Sequence, residues 1–125
     1  AYLLRKNNLR QVTTDHTVVH EYVIKGLIQP EEAERHPMKH VLSRALGTQE
    51  AVETDILNLP LFPGDILLLC SDGLTNMLTK DEMESILTGP GDLDDKSGDM
   101  IRVANEKGGK DNITLILVQY FENPV

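Results

Sequence analysis

The sequence predicts an α+β or a layered α/β fold, and three observations carry that reading. Ile66 to Cys70 is apolar at every position, the mark of a strand buried on both faces. Ile113 to Tyr120 is a second long run of β-type residues. Between and before these runs lie short segments with apolar residues at helical spacing, opened by capping residues and closed by glycine or proline.

Taken in order, Tyr2, Leu3 and Leu4 read as a strand, Arg5-Lys6-Asn7-Asn8 as a turn and Leu9 to Val12 as the returning strand. The hairpin signal is weak at its tip because no glycine is present. Thr14 and Asp15 precede Val18, Val19, Tyr22 and Val23 at helical spacing, and Gly26 can end that helix. Pro30, Glu31 and Glu32 start a second, short helix, since proline fits the first turn and acids suit the dipole there. Pro37 pushes His36 out of helical angles, and residues 38 to 47 are ambiguous up to Gly47. Val52 to Leu59 reads as a strand. Only the turn Pro60 to Gly64 separates it from Ile66–Cys70, so the two are expected to pair antiparallel. Thr79 to Glu82 is a capping-box pattern for a helix with Met83, Ile86 and Leu87 on one face, stopped at Gly89-Pro90. Gly91 to Gly98 is expected to be an acidic, flexible loop. Met100, Ile101, Val103 and Ala104 then form an amphipathic helix ending at Gly108-Gly109.

The totals narrow the function classes. A chain of 125 residues is one domain by prior, and 40% hydrophobic with 26% charged residues is globular rather than disordered. A net charge of −8 makes a nucleic-acid backbone an unsuitable partner and fits cation binding or plain solubility. One cysteine excludes an internal disulfide and points to a reducing, cytoplasmic setting. No run of about 18 apolar residues predicts a membrane span, and no signal peptide is visible. The chain opens on Ala1 and runs at once into a strand, which favours a start inside a larger protein.

Counting removes several chemistries. A cysteine phosphatase needs arginine six residues after its nucleophile, and after Cys70 that position is Asn76, so Cys70 reads as a buried thiol. Gly109-Lys110 fails as a P-loop at Ala104 and Asp111. Asp92, Asp94 and Asp95 fail as a calcium loop at Ser97 and Val103. His16 with His20, and His36 with His40, have helical spacing for zinc. However, Thr17 stands where a zinc protease has glutamate, and Pro37 breaks the second pair. Asp72 and Asp111 survive. Each sits at the end of a stiff strand with glycine nearby, and two carboxylates side by side repel unless a divalent cation such as Mg²⁺ or Mn²⁺ offsets the repulsion. Strand-edge acids and Asp-Gly turns are also common without any metal.

Four blocks of residues give these features a family. LLLCSDGLTN at 67–76, GGKDNIT at 108–114, TTDHTVV at 13–19 and HPMKHVLSRALG at 36–47 resemble, in order and spacing, the metal-dependent type 2C (PPM) protein serine/threonine phosphatases of the bacterial branch. The resemblance runs from Ala1 to about Tyr120. It implies part of a layered α-β-β-α sandwich with antiparallel sheets, the chain being the C-terminal portion of one such domain. It implies that Asp72 and Asp111 are ligands in a site for two Mn²⁺ or Mg²⁺ ions, with Asp72 touching a third, looser ion. Gly73 and Asn112 would support those ligands, Asn112 by orienting the ligand strand. The segment from about 19 to 40 looks like the flap bordering the substrate groove, with His36, His40 and Arg44 as residues there.

The implied chemistry is attack on phosphorus by metal-activated water, with no nucleophilic side chain. The implied partners are phosphoproteins modified by a bacterial Ser/Thr kinase. The family's phosphate-gripping arginine, its acidic pair and its other Asp-Gly block are missing from the sequence. The isolated chain is therefore expected to bind Mn²⁺ weakly, to turn over negligibly and to self-associate. The alternatives are a non-catalytic regulatory module of the same fold, as in relatives serving signalling and sigma-factor control, and an unrelated acidic binding domain.

Overall fold

The computed structural model describes residues 1–122. It contains the elements β1 (Tyr2–Arg5), β2 (Asn8–Gln11), α1 (Val18–Ile24), α2 (Pro30–Ala33), β3 (Ile66–Cys70), α3 (Asp72–Thr75), α4 (Lys80–Thr88), α5 (Leu93–Glu106) and β4 (Leu115–Gln119). The fold is α+β, and it divides into two units.

The first unit joins residues 1–13 to the chain from Pro60 onward. Its four-stranded sheet has the order β2-β1-β3-β4, every pair antiparallel. β1 and β2 form the predicted hairpin, closed by Lys6 (φ 49°) and Asn7 (φ 60°), both left-handed. That is the two-residue turn whose twist suits a hairpin, built here without glycine. The register places Leu4 opposite Leu9 and Ile66, and Leu68 opposite Tyr2 and Leu117, all on one face. α4 and α5 cover this face. Leu4, Leu9, Ile66, Leu68, Leu74, Leu78, Met83, Leu87, Met100 and Ala104 form one buried cluster. Cys70 is half-buried against that cluster rather than fully enclosed.

Two expectations fail in informative ways. Val52 to Leu59 is not a strand, and β3 is flanked instead by β1 and β4. Its β-type residues find no ladder partner among the described residues, and a strand without one does not form. The acidic stretch expected to be a loop is mostly helix. Asp92 is the N-cap of α5, its side chain accepts from Asp95 N–H at 2.9 Å, and the Asp95 carboxylate accepts from Asp92 N–H at 3.2 Å. The reciprocal box uses the acids to satisfy open helix donors, and the helix dipole favours their charge. α4 has the predicted box, Thr79 with Glu82.

A polar anchor fastens β1. Asp65 is buried, and Arg5 Nε donates to both of its carboxylate oxygens at 3.0 and 3.1 Å. Phe62 N–H donates to the same carboxylate at 2.9 Å, and the Arg5 guanidinium lies over the Phe62 ring at 4.4 Å.

The second unit is residues 14–59. Thr17 caps α1, accepting from His20 N–H at 3.2 Å, so the cap lies nearer the helix than Thr14 or Asp15. α2 opens with Pro30 after Gln29. The remainder is irregular apart from a bridge between Thr17 and Leu42. Among the described residues, no helix is long and apolar enough to cross a membrane.

Candidate metal centre

Asp72 lies where β3 gives way to α3. Ser71 is the N-cap of that short helix and Asp72 its first residue, so the carboxylate stands at the sheet's end and is exposed. Asp111 follows the turn made after α5 by Gly108 (φ 125°) and Gly109 (φ 48°). The φ of Gly108 is one that residues with side chains rarely adopt, so the turn takes glycine there.

The two segments are clasped together. Ser71 N–H donates to Thr114 O at 2.9 Å, Ser71 Oγ donates to Asn112 O at 3.1 Å, and Thr114 N–H donates back to Ser71 Oγ at 3.1 Å. Gly73 is pressed against the same segment: a Cβ there would lie 2.1 Å from Asn112 O and 2.9 Å from Asn112 C. Only a residue without a side chain fits. Asn112 N–H donates to Asp111 Oδ1 at 2.7 Å, which fixes that carboxylate's direction. Asp72-Gly73 and Asp111-Asn112, read from separate parts of the sequence, are thus brought to one place at the end of the sheet.

Sequence reasoning missed Ser71. Its hydroxyl bridges both segments, and the only hint was a serine just before an Asp-Gly pair, which reads as an ordinary cap.

Carboxylate and amide oxygens are the donors that Mg²⁺ and Mn²⁺ take. Asp72 and Asp111 carry donors of that kind. Among the described residues, no three His, Cys, Asp or Glu side chains gather into a metal-binding group, so an octahedral shell is not completed by these side chains.

In the second unit His36 and Arg44 have separate partners. His36 accepts from Met38 N–H at 3.1 Å through Nδ1 and meets the Tyr22 ring edge-on, centroids 6.2 Å apart. His40 is exposed. Arg44 instead pairs with Asp55 at 2.8 Å and with Glu53 at 3.4 Å. Its hydrogen bond to Asp55 raises the arginine's pKa and lowers that of Asp55.

No family model matches the chain. It is 50% identical over 118 residues to the serine/threonine phosphatase stp of Listeria welshimeri, covering 94% of this chain and 47% of that protein. Among solved structures, the serine/threonine phosphatase of S. agalactiae superposes with a TM-score of 0.90 at 40% identity, over 97% of this chain and 50% of that one. The catalytic domain of the phosphatase PstP in complex with two manganese ions superposes with a TM-score of 0.76 at 33% identity, over 97% and 49%. The chain spans about half the length of the curated relatives it matches.

Proposed function

Because the chain belongs to the PPM family of bacterial serine/threonine phosphatases, we propose that it is the C-terminal portion of one such domain. The whole protein removes phosphate from phosphoserine and phosphothreonine of proteins modified by a bacterial kinase. The observation that carries this reading is the clasp at Ser71 and Gly73, which holds Asp72 and Asp111 at one end of the sheet.

In this reading Asp72 and Asp111 hold Mn²⁺ or Mg²⁺, and PstP, a relative solved with two manganese ions, supports that choice of metal. The bound metals supply Lewis acidity and lower the pKa of water at phosphorus. Gly73 keeps the approach to the ligand strand clear. Asn112, through its main-chain N–H on Asp111 Oδ1, keeps one oxygen of the ligand occupied and directed. Residues 19–40 form the flap beside the substrate. A single half-buried cysteine and the acidic surface suit a cytoplasmic protein.

Two carboxylates leave most of a metal shell to other groups, so the isolated chain binds Mn²⁺ weakly and does not turn over on its own. The same shortfall favours, as second reading, a regulatory module of the same fold. The test is Mn²⁺-dependent hydrolysis of p-nitrophenyl phosphate and of a phosphothreonine peptide by the full-length protein. Asp111→Asn is expected to lower turnover by about 100-fold or more, at least the upper end of what losing a ligand's outer hydrogen-bond partner costs. Full-length protein without Mn²⁺-dependent turnover points to the regulatory module. Turnover by residues 1–125 alone overturns the assignment of this chain as an incomplete part.

A further inference from the structure

The irregular segment of the second unit hangs on two side chains. Among the described residues, none from Gln49 to Leu59 makes a main-chain to main-chain hydrogen bond. Among the described residues, the segment's ion pairs and hydrogen bonds all end on Arg44 or His16. Arg44 Nη1 donates to Asp55 Oδ1 at 2.8 Å and to Glu53 O at 3.4 Å, and Nη2 lies 3.4 Å from the Glu53 carboxylate. His16 Nε2 lies 2.9 Å from Asp55 Oδ2 and 3.3 Å from Arg44 Nη1. An arginine N–H only donates, so His16 Nε2 can serve Asp55 as donor or Arg44 as acceptor, but not both. With its proton on Nε2, His16 joins Arg44 in aiming N–H donors at the two oxygens of one carboxylate.

That arrangement is a seat for an oxyanion, and a guanidinium matches a phosphoryl group at least as well as a carboxylate. The seat opens on a cleft of about 440 Å³ whose lining includes His20, Lys25 and Ser43, with one further carboxylate, Glu21. Asp55 reaches it from the unsupported segment and is itself half-exposed, as the cleft is open to solvent on that side. An ion pair this exposed contributes little to stability and is readily exchanged.

We propose that Arg44 and His16 form an oxyanion seat plugged by Asp55, and that residues 49–59 are a strap released when an external phosphoryl group takes the seat. The proposal does not rest on the phosphatase reading. It makes Arg44 a binding residue whose occupancy is coupled to the strap, rather than only a border of the flap.

Limited proteolysis of the whole protein tests it, by chymotrypsin cutting after Leu57, with inorganic phosphate as probe and sodium chloride at equal ionic strength as control. Asp55→Asn is expected to speed that cut by about fivefold, the upper end for an exposed ion pair, while α5 stays resistant. Phosphate is expected to speed the same cut in the unaltered chain, and to do nothing there in Arg44→Gln. An unchanged rate of cutting in Asp55→Asn overturns the latch. Equal effects of phosphate and chloride reduce the response to screening and overturn the seat. The phosphate arm uses the unaltered chain, so it decides the matter even if Asp55→Asn does not fold.

Discussion

At the residue scale, Gly73 has no room for a side chain. A methyl group there would lie 2.1 Å from Asn112 O, a main-chain atom that cannot swing aside as a side chain would. Gly73→Ala must push the Asp111-Asn112 segment away from α3. It is expected to cost about 1–3 kcal/mol, the usual range for overpacking, measured by urea unfolding. The same substitution should weaken Mn²⁺ binding by full-length protein, because it separates the two aspartates. Wild-type stability in Gly73→Ala would mean that the clasp is loose.

Asp65 gives a residue-level prediction in pH. Its hydrogen bonds from Arg5, with a further one from Phe62 N–H, hold its pKa below the ordinary carboxylate value, against a smaller opposing effect of burial. The folded protein therefore binds fewer protons at Asp65 than the unfolded chain does near that value. Its stabilising contribution is present above the unfolded pKa and is lost as pH falls through the lower folded one. Melting temperature should drop steeply on acidification below about pH 4, the unfolded reference. Asp65→Asn should flatten that part of the curve while lowering stability at neutral pH, since Arg5 loses its partner. A wild-type curve retained in Asp65→Asn would assign the acid sensitivity to other carboxylates.

At the scale of elements, the caps decide more than composition does. Asp92 and Asp95 read as part of a solvated loop because acids and glycines crowd residues 91–98. In the fold they close each other's hydrogen bonds at the start of α5. Asp92→Ala should destabilise the protein by about 1 kcal/mol, the typical cost of losing an N-cap, with the first turn of α5 fraying fastest in hydrogen exchange. No loss of protection there would return the segment to the loop expected from sequence. Helix signals of this local kind were legible wherever the cap and the apolar stripe agreed, as at Thr79–Glu82 and Met83–Leu87. The hairpin was legible too, although Lys6 and Asn7 made its turn without glycine. Strand Val52–Leu59 was misread because β propensity records a residue's fit to a sheet, not whether a neighbouring strand exists to receive it. The metal candidates Asp72 and Asp111 were legible as carboxylates beside glycines. Ser71, which ties them together, was not, because its partners lie about forty residues away and no local pattern encodes them.

At the scale of the molecule, the sheet has one covered face and one that is covered at Leu3 but open along β3 and β4. α4 and α5 bury Leu4, Ile66 and Leu68 on the first. On the other, Leu69 faces Ile116 across the β3–β4 ladder and Leu67 faces Val118. Leu69, Ile116 and Val118 remain 45%, 57% and 45% exposed. β4 is also an edge strand, with a row of main-chain groups and no neighbour on its outer side among the described residues. An apolar face beside an unpaired edge is a template for association, because a partner buries the side chains and completes the ladder in one step. The net charge of −8 opposes this, but salt screens repulsion between exposed charges over about 8 Å at physiological strength. Residues 1–125 should therefore self-associate more strongly as salt rises, the reverse of an electrostatically driven complex. Ile116→Glu places a carboxylate at the centre of the open face and should shift light scattering toward the monomer without disturbing the buried cluster. A monomer at high protein concentration and high salt would show that the face tolerates water. Association that survives Ile116→Glu would transfer the interface to the β4 edge alone, where a proline at Val118 would be the next substitution to make.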